Sequence, residues 1–421
     1  MKTLLLTLFI LVNFGFIYCQ QWIPVGNAID MNVYDMIKFD NKLYAGWKYG
    51  IMAWDGSTWT NIPEPFGIDC PLSFSTLNDN LYTSGDFPYQ STSTKVFKFD
   101  GANWSQIGGD FQTSTWASVK KVHTHDTLII AGGKFSTIGG QPRLNVAKWD
   151  GNSWTAMGAG LNNMVFNFES YNGDLFATGS FTESGTDTLV HKIGKWNGNS
   201  WVPFDSSVVF NSPGAMIEFN GNLIIGGVWE TINGVPMKGI TKWDGMNYTS
   251  MGNPLIKSVN SFWTFNNELY LSGTLFTLNP NASKYVVLKL LGTIWQEVGS
   301  GFDEEIFTLE DFNNQLYCGG QFSSPTENIA RYDQFANTEE LSTNVEFVLA
   351  PNPSTNQFKI FGLNNIQGKA TVKIISLAGE LIYNYTDVDE ETILSIQNKG
   401  LFFVQIYSDN VLKETLKISI I

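Results

Sequence analysis

Residues 149–154 read Trp149-Asp150-Gly151-Asn152-Ser153-Trp154, and the same text returns along the chain. Trp54-Asp55-Gly56 leads to Trp59, Phe99-Asp100-Gly101 to Trp104, Trp196-Asn197-Gly198 to Trp201, and Trp243-Asp244-Gly245 to Tyr248. Weaker copies stand at Leu291-Gly292 with Trp295 and at Tyr332-Asp333. Asp-Gly and Asn-Gly pairs tolerate positive φ, so each copy marks a tight turn between two antiparallel strands. A second element precedes each copy, a strand ending in Gly with an aromatic just beyond. It occurs as Gly85 with Phe87, Gly133 with Phe135, Gly179 with Phe181, Gly227 with Trp229, Gly273 with Phe276 and Gly320 with Phe322, and Gly46-Trp47 is an irregular first copy. From Gly46 to Gly320 the spacings are 39, 48, 46, 48, 46 and 47, which gives seven units of about 46 residues.

Each unit holds four strand-like runs, clearest at 165–171, 175–181, 191–196 and 201–204, with Asn172-Gly173 and Asn197-Gly198 as turns. A four-stranded sheet of this size cannot bury both faces alone, and radial stacking of such sheets solves that problem. The expected fold is therefore all-β, a seven-bladed β-propeller over residues 20–335. The seventh unit stops at Asp333 without an outer strand, whereas Trp22-Ile23-Pro24-Val25-Gly26 matches the outer-strand text of residues 154–158. The N-terminal segment is thus expected to complete the last blade, and Pro24 is tolerated there because an outer edge needs no further amide donor.

Composition agrees with this reading. Of 421 residues, 43% are hydrophobic, 14% aromatic and 15% charged, with 40 Gly, 14 Trp and 31 Phe. Such a chain can bury a large core, and its turn and aromatic content favours short strands over helix bundles. A formal charge of -14 excludes nucleic acid as a partner, since phosphate binding needs a basic footprint. Lys2 ahead of the apolar run 4–12 reads as a signal peptide over residues 1–19, too short to span a membrane and interrupted by Asn13, so no transmembrane segment is expected in the mature chain. Cys70 and Cys318 then remain, too few for a disulfide framework, and Cys318 in Leu316-Tyr317-Cys318-Gly319-Gly320 reads as a buried thiol.

The repeats, and above all the run Gly132 to Gly140 leading to Ala147-Lys148-Trp149-Asp150-Gly151, resemble the kelch-like or galactose-oxidase-like propellers of secreted bacterial proteins. The resemblance is specific for fold and poor for function. After a polar linker at 336–344, residues 345–421 show six further strand-like runs, read as a small Ig-like β-sandwich. Their text is similar to the C-terminal sorting domain of type IX secretion in Bacteroidetes: Pro351-Asn352-Pro353 at the start, Leu377-Ala378-Gly379 in the middle, Gly400-Leu401-Phe402-Phe403-Val404 later and Lys417 in the last run. That similarity implies the type IX machinery as a partner and a route through the periplasm to the cell surface or the medium.

Chemistry is sparse in the text. His123 and His125 share a strand face at ligand spacing, yet His125 occupies the repeat position that holds Phe39, Tyr171, Phe219, Phe265 and Phe312 elsewhere, which reads as packing. His191, read as the start of a strand, has no Cys or His neighbour at ligand spacing, so neither metal nor cofactor is assigned. The recurring Asp and aromatic residues are what hairpins and cores require of every blade. Non-recurring residues carry more information: Tyr49, Tyr89, Trp116, Arg143 and Glu230 on the face of the loops between second and third strands, and Trp263 in an inner strand, are candidate ligand contacts, because such side chains stack on sugars or anchor a protein partner. The resulting reading is a secreted or surface-displayed binding module. The alternative is an extracellular polysaccharide-acting enzyme using carboxylates gathered at a channel mouth, Glu169, Glu218, Glu310 and Asp311.

Overall fold

The computed structural model describes residues 21–26, 31–63, 70–86, 91–185, 188–205, 210, 212–228, 231–232, 235–237, 239–251, 256–277, 283–333, 347–350, 354–361, 363, 370–376, 381–389, 391–408 and 411–420. The expected signal segment 1–19, the expected linker 336–344, and Tyr89, Glu230, Pro351, Asn352, Pro353 and Gly379 lie outside the described residues. The chain divides into a unit of Gln20–Gln334 and a second unit that holds Phe335–Ile421. Both are all-β, and no α-helix occurs among the described residues.

Seven four-stranded antiparallel sheets organise the larger unit. Their first strands are Val33–Phe39, Cys70–Leu77, Ser118–His125, Val165–Tyr171, Ser212–Phe219, Ile256–Phe265 and Ile306–Phe312. Each first strand lies beside those of the sheets before and after it, and that of the seventh sheet lies beside that of the first. Six sheets take their four strands in chain order. In the seventh, Gln21–Pro24 supplies the outer strand by pairing antiparallel with Ile329–Asp333, Trp22 opposite Tyr332 and Pro24 opposite Ala330.

The repeated residues explain this order. At the turn before the outer strand of the first, second, third and fifth sheets an Asp carboxylate caps the backbone: Asp55 Oδ1 accepts from the amides of Thr58 at 2.8 Å and Ser57 at 2.7 Å, and Asp100, Asp150 and Asp244 repeat the arrangement. Those bonds, that of the Thr58 amide first, hold the Asp55 carboxyl well below the usual carboxylate range. In five sheets the outer-strand aromatic ties one sheet to its predecessor. The indole of Trp154 donates to the carbonyl of Ile107 at 3.0 Å, Trp295 to Met251 at 2.6 Å, Trp59 to Val25 at 2.8 Å and Trp22 to Val298 at 2.8 Å. In the fifth sheet the Tyr248 hydroxyl donates to Asp205 at 2.9 Å instead.

Glycine is required where second strands meet neighbours. A Cβ on Gly132 would lie 2.5 Å from the Phe168 ring of the next sheet, and one on Gly133 would lie 2.1 Å from the Ser118 carbonyl of its own first strand. The second clash marks a β-bulge that every sheet carries at this level: Val119 pairs with Gly133 and Lys121 with Gly132, leaving Lys120 as the extra residue.

Two details differ from the sequence reading. His191 does not begin a strand; it turns with φ 51° ahead of Ile193–Trp196, because the chain must reverse out of the short pair Glu183–Ser184 and Thr188–Leu189. The segments read as loops also pair. Ser93–Thr94, Phe111–Gln112, Thr137–Ile138 and Gln141–Pro142 form a small sheet, pinned by Phe111, which packs edge-on against Phe135 at 4.9 Å and Trp154 at 5.1 Å.

In the C-terminal unit, Val348–Ala350, Gln357–Phe361 and Leu394–Ser395 form one sheet, and Leu381–Val388, Ala370–Ser376, Gly400–Ser408 and Val411–Ile420 form another, in the order given. Alternating residues of both, among them Phe358, Ile360, Val372, Ile374, Val404, Ile406 and Ile418, share one core.

Trp22 is 1% exposed and bonds into the sixth sheet while its strand completes the seventh. Trp22→Ala should therefore destabilise the larger unit by about 3–5 kcal/mol, read as a lower denaturation midpoint. Met246→Ala, at an 85% exposed turn residue, should stay within about 0.5 kcal/mol. Equal midpoints for the two variants would contradict the role given to the N-terminal strand.

Candidate functional site

The bulges decide what lines the centre of the larger unit. In six sheets the extra residues are Tyr34, Leu72, Lys120, Phe166, Asn260 and Phe307, and the fifth sheet places Gly214 and Ala215 there. All of them face one cavity of about 890 Å³ to which every first strand contributes. A bulge re-aims a side chain that regular alternation would send elsewhere. Its position, opposite the glycines that end the second strands, puts these residues toward the loop face singled out from the sequence.

Further along the strands the lining becomes polar, and its groups bridge neighbouring sheets. Asp35 accepts from the Phe74 amide at 2.8 Å and from the Thr308 hydroxyl at 3.1 Å, joining sheets one, two and seven, with Lys121 Nζ 4.0 Å away. His123 Nε2 and His125 Nδ1 both meet the Ser170 hydroxyl, at 3.0 and 2.9 Å. Burial, then the Lys121 charge, push His123 down to about 3, which keeps the ring neutral at physiological pH. Glu169 accepts the Glu218 amide at 3.2 Å, and Asn260 donates to the Ile306 carbonyl at 3.0 Å.

Two carboxyls are shifted upward. Enclosure by the strands raises Glu169 to about 7. Glu310, buried at the cavity wall, is pushed from 4.5 to about 8, mainly by burial; Lys38, 3.8 Å away, opposes the shift, and Asp311 and Asp35 add to it. Lys38 lies closer to Asp311, at 2.8 Å, and the Trp263 indole donates to the same Asp311 carboxylate at 3.2 Å. Lys38, Trp263, Glu310 and Asp311 thus form one cluster across sheets one, six and seven.

Among the residues nominated from sequence, Trp263, Glu169 and Glu310 line the cavity; Tyr49, Trp116 and Arg143 do not. Tyr49 is 53% exposed in a turn, edge-on to Trp47 at 5.6 Å with Lys48 Nζ 5.3 Å from its ring. Trp116 precedes the third sheet's first strand and has Lys134 Nζ 4.3 Å and Lys120 Nζ 5.8 Å from its ring, so a cavity residue reaches it. Arg143 donates to the carbonyls of Pro142 at 2.6 Å and Trp154 at 3.3 Å, which makes it a clamp on the small loop sheet. The sequence reading missed Asp35, Lys38, Lys121 and the bulge residues. The signal was present, because the glycine ending each second strand marks where the facing strand must bulge. Among the described residues no group of three or more His, Cys, Asp or Glu is arranged to hold a metal ion.

Residues 348–421 match the family described as the secretion system C-terminal sorting domain. The protein carries a type IX sorting tail. Such a tail indicates secretion to the cell surface or the extracellular space, with periplasmic transit and interaction with the type IX machinery implied. Gly400 opens the strand Gly400–Ser408, and the backbone of Lys417 pairs with Phe403 in the last ladder. No helix among the described residues is long and apolar enough to cross a membrane.

No curated protein matches the chain by sequence. Among solved structures the chain is similar to PorZ, a bacterial surface component of the type IX secretion system of Porphyromonas gingivalis, at 15% identity and a TM-score of 0.47, covering 95% of this chain and 61% of that one. It is similar to the extracellular domain of BT4673 from B. thetaiotaomicron at 12% identity and a TM-score of 0.49, covering 96% and 58%. A third similarity, to the computationally designed Ika8 protein, has 11% identity, a TM-score of 0.44 and coverage of 94% and 98%. The chain spans about three fifths of the length of the first two.

The Glu310 shift gives a signed expectation. A carboxyl whose folded pKa is raised stabilises the fold fully below its unfolded value, and that contribution is lost as pH rises through the folded value. Between about pH 4.5 and 8 the native protein should lose stability relative to Glu310→Gln, whose side chain stays neutral throughout. Parallel melting-temperature curves for the two proteins across this range would refute the assignment.

Proposed function

We propose that the seven sheets are the blades of a propeller, followed by a small Ig-like sandwich that serves as the sorting domain, and that the propeller is an extracellular binding module. The observation carrying this reading is the cavity of about 890 Å³ whose lining residues come from all seven first strands. Its size falls among small-ligand sites of about 300–1,000 Å³. The cyclic adjacency of the first strands, and the N-terminal strand closing the seventh sheet, support the propeller arrangement. The ligand meets the loop face through Tyr49, Tyr89, Trp116, Arg143 and Glu230 and the cavity through Trp263. Trp116 and the cavity residue Lys120, which lies against its ring, connect the two. Arg143 belongs to the face chiefly by holding the loop sheet in shape.

A second reading, hydrolysis of polysaccharide, is favoured by one feature. Glu310, raised to about 8, is a carboxyl kept largely neutral at neutral pH, beside an Asp311 carboxylate paired with Lys38. An acid and a carboxylate with separated tasks are what glycoside cleavage uses. Release of reducing ends from polysaccharides, lost in Glu310→Gln, would support this second reading over simple binding.

Two outcomes test the main reading. Removing residues 345–421 should leave a folded propeller retained in the periplasm, and wild-type amounts of the truncated protein in the medium or on the surface would sink the export assignment. On glycan and protein arrays, the pair Trp116→Ala and Trp263→Ala should abolish capture with little change in melting temperature. Capture that survives this pair but disappears when the short-turn residues Asn172, Asn220 and Asn266 are changed would place recognition on the opposite face.

A further inference from the structure

The bulge residues vary from sheet to sheet, unlike the core positions around them, and they are the part of the cavity nearest the loop face. Tyr34 and Phe307, from adjacent sheets one and seven, lie nearly parallel, with ring centroids 6.0 Å apart and planes 11° apart. Phe166, on the fourth sheet and so across the cycle of strands, is 43% exposed and lines the same cavity. The equivalent bulge residues Tyr34, Leu72 and Phe307 are half-buried, so apolar surface at this level stays open to the cavity. The fifth sheet contributes only Gly214 and Ala215, which leaves room on one side. Aromatic surface therefore stands on opposite sides of an opening whose floor is polar.

The charges around the cavity nearly balance. Lys38, Lys120, Lys121, Asp35 and Glu305 line it, and Lys38 also pairs with Asp311. Glu310, raised to about 8, is mostly neutral at neutral pH, and Glu169, raised to about 7, carries only part of a negative charge. A strongly anionic or cationic ligand finds no matching field in such a site. A ligand with apolar ring faces and many hydroxyls is matched, because its C–H faces pack on aromatic rings while its hydroxyls exchange hydrogen bonds with both lysines and carboxyls.

We infer that the cavity mouth takes an uncharged pyranose ring between the Tyr34–Phe307 pair and Phe166, with its hydroxyls directed at Asp35, Lys121 and Glu169. The inference rests on the binding-module reading and names its ligand class. A peptide is the competing occupant, disfavoured because the mouth offers two separated aromatic walls rather than one continuous apolar groove.

The test uses the intact protein in calorimetry and saturation-transfer NMR. One arm presents neutral hexasaccharides of glucose, mannose, galactose and xylose, a second presents oligogalacturonate, and a third presents a mixture of synthetic decapeptides. At least one neutral hexasaccharide should bind, and Tyr34→Ala and Phe166→Ala should each weaken it by about tenfold. Phe166→Tyr should retain binding, and Phe276→Ala, at an exposed aromatic outside the cavity, should leave it unchanged. Unaltered melting temperatures in the Ala variants separate lost contact from lost fold. Binding confined to oligogalacturonate or peptide, or neutral-sugar binding indifferent to Phe166→Ala, overturns this inference while leaving a binding module in place. Silence in every arm overturns both.

Discussion

Five of the seven sheets of the larger unit share one repeated bond, the donation from an outer-strand aromatic to the chain leaving the preceding sheet. Trp22, Trp59, Trp154 and Trp295 use the indole N–H, and Tyr248 uses its hydroxyl. A four-stranded sheet alone has two faces and a marginal core. The aromatic covers one face with its ring and satisfies its polar atom on the neighbour, so apolar burial and hydrogen bonding favour the same docking. The Asp at the turn before it fixes the strand entry from which the aromatic reaches across. That dependence explains why Asp, Gly and an aromatic recur together.

The same constraint shows why the sheets were legible from text and the site was not. Period-2 strands, turn pairs and repeated aromatics are local signals, and Trp22 to Val25 could be assigned to the seventh sheet because they repeat the outer-strand text. Sheet order then followed. The cavity is instead made of residues separated by whole repeats, such as Lys38 with Asp311 or Trp263 with Asp311. No local pattern announces those pairings. Glu169, Glu310 and Trp263 were legible as candidates because they sit in inner strands. Tyr34, Phe166 and Phe307 were missed, because alternation alone sends them elsewhere and the bulge opposite the end of the second strand turns them inward. The small loop sheet escaped the reading because its two-residue strands carry no period at all.

The cavity wall combines two tasks. Asp35, Ser170 and Asn260 hold neighbouring first strands together while lying in or beside the lining, so the polar surface is fixed by the fold before any ligand arrives. Fixed polar groups reduce the ordering cost of binding. The burial that raises Glu169 and Glu310 belongs to the same design, because strands converging on one centre exclude water from carboxyls that a flat sheet would leave solvated.

The pairing of Gln21 with Asp333 and of Pro24 with Ala330 also sets how the larger unit answers to force. The two strands run antiparallel, and the chain enters one and leaves the other at the same end of the ladder. A pull between Gln21 and the segment after Asp333 loads that end first, so the bonds open one after another like a zipper instead of resisting together in shear. Each bond contributes only about 1 kcal/mol net. The seventh sheet is therefore a mechanical fuse: tension along the chain releases Trp22 from its place against Phe302 and Tyr332 before it reaches the other six sheets.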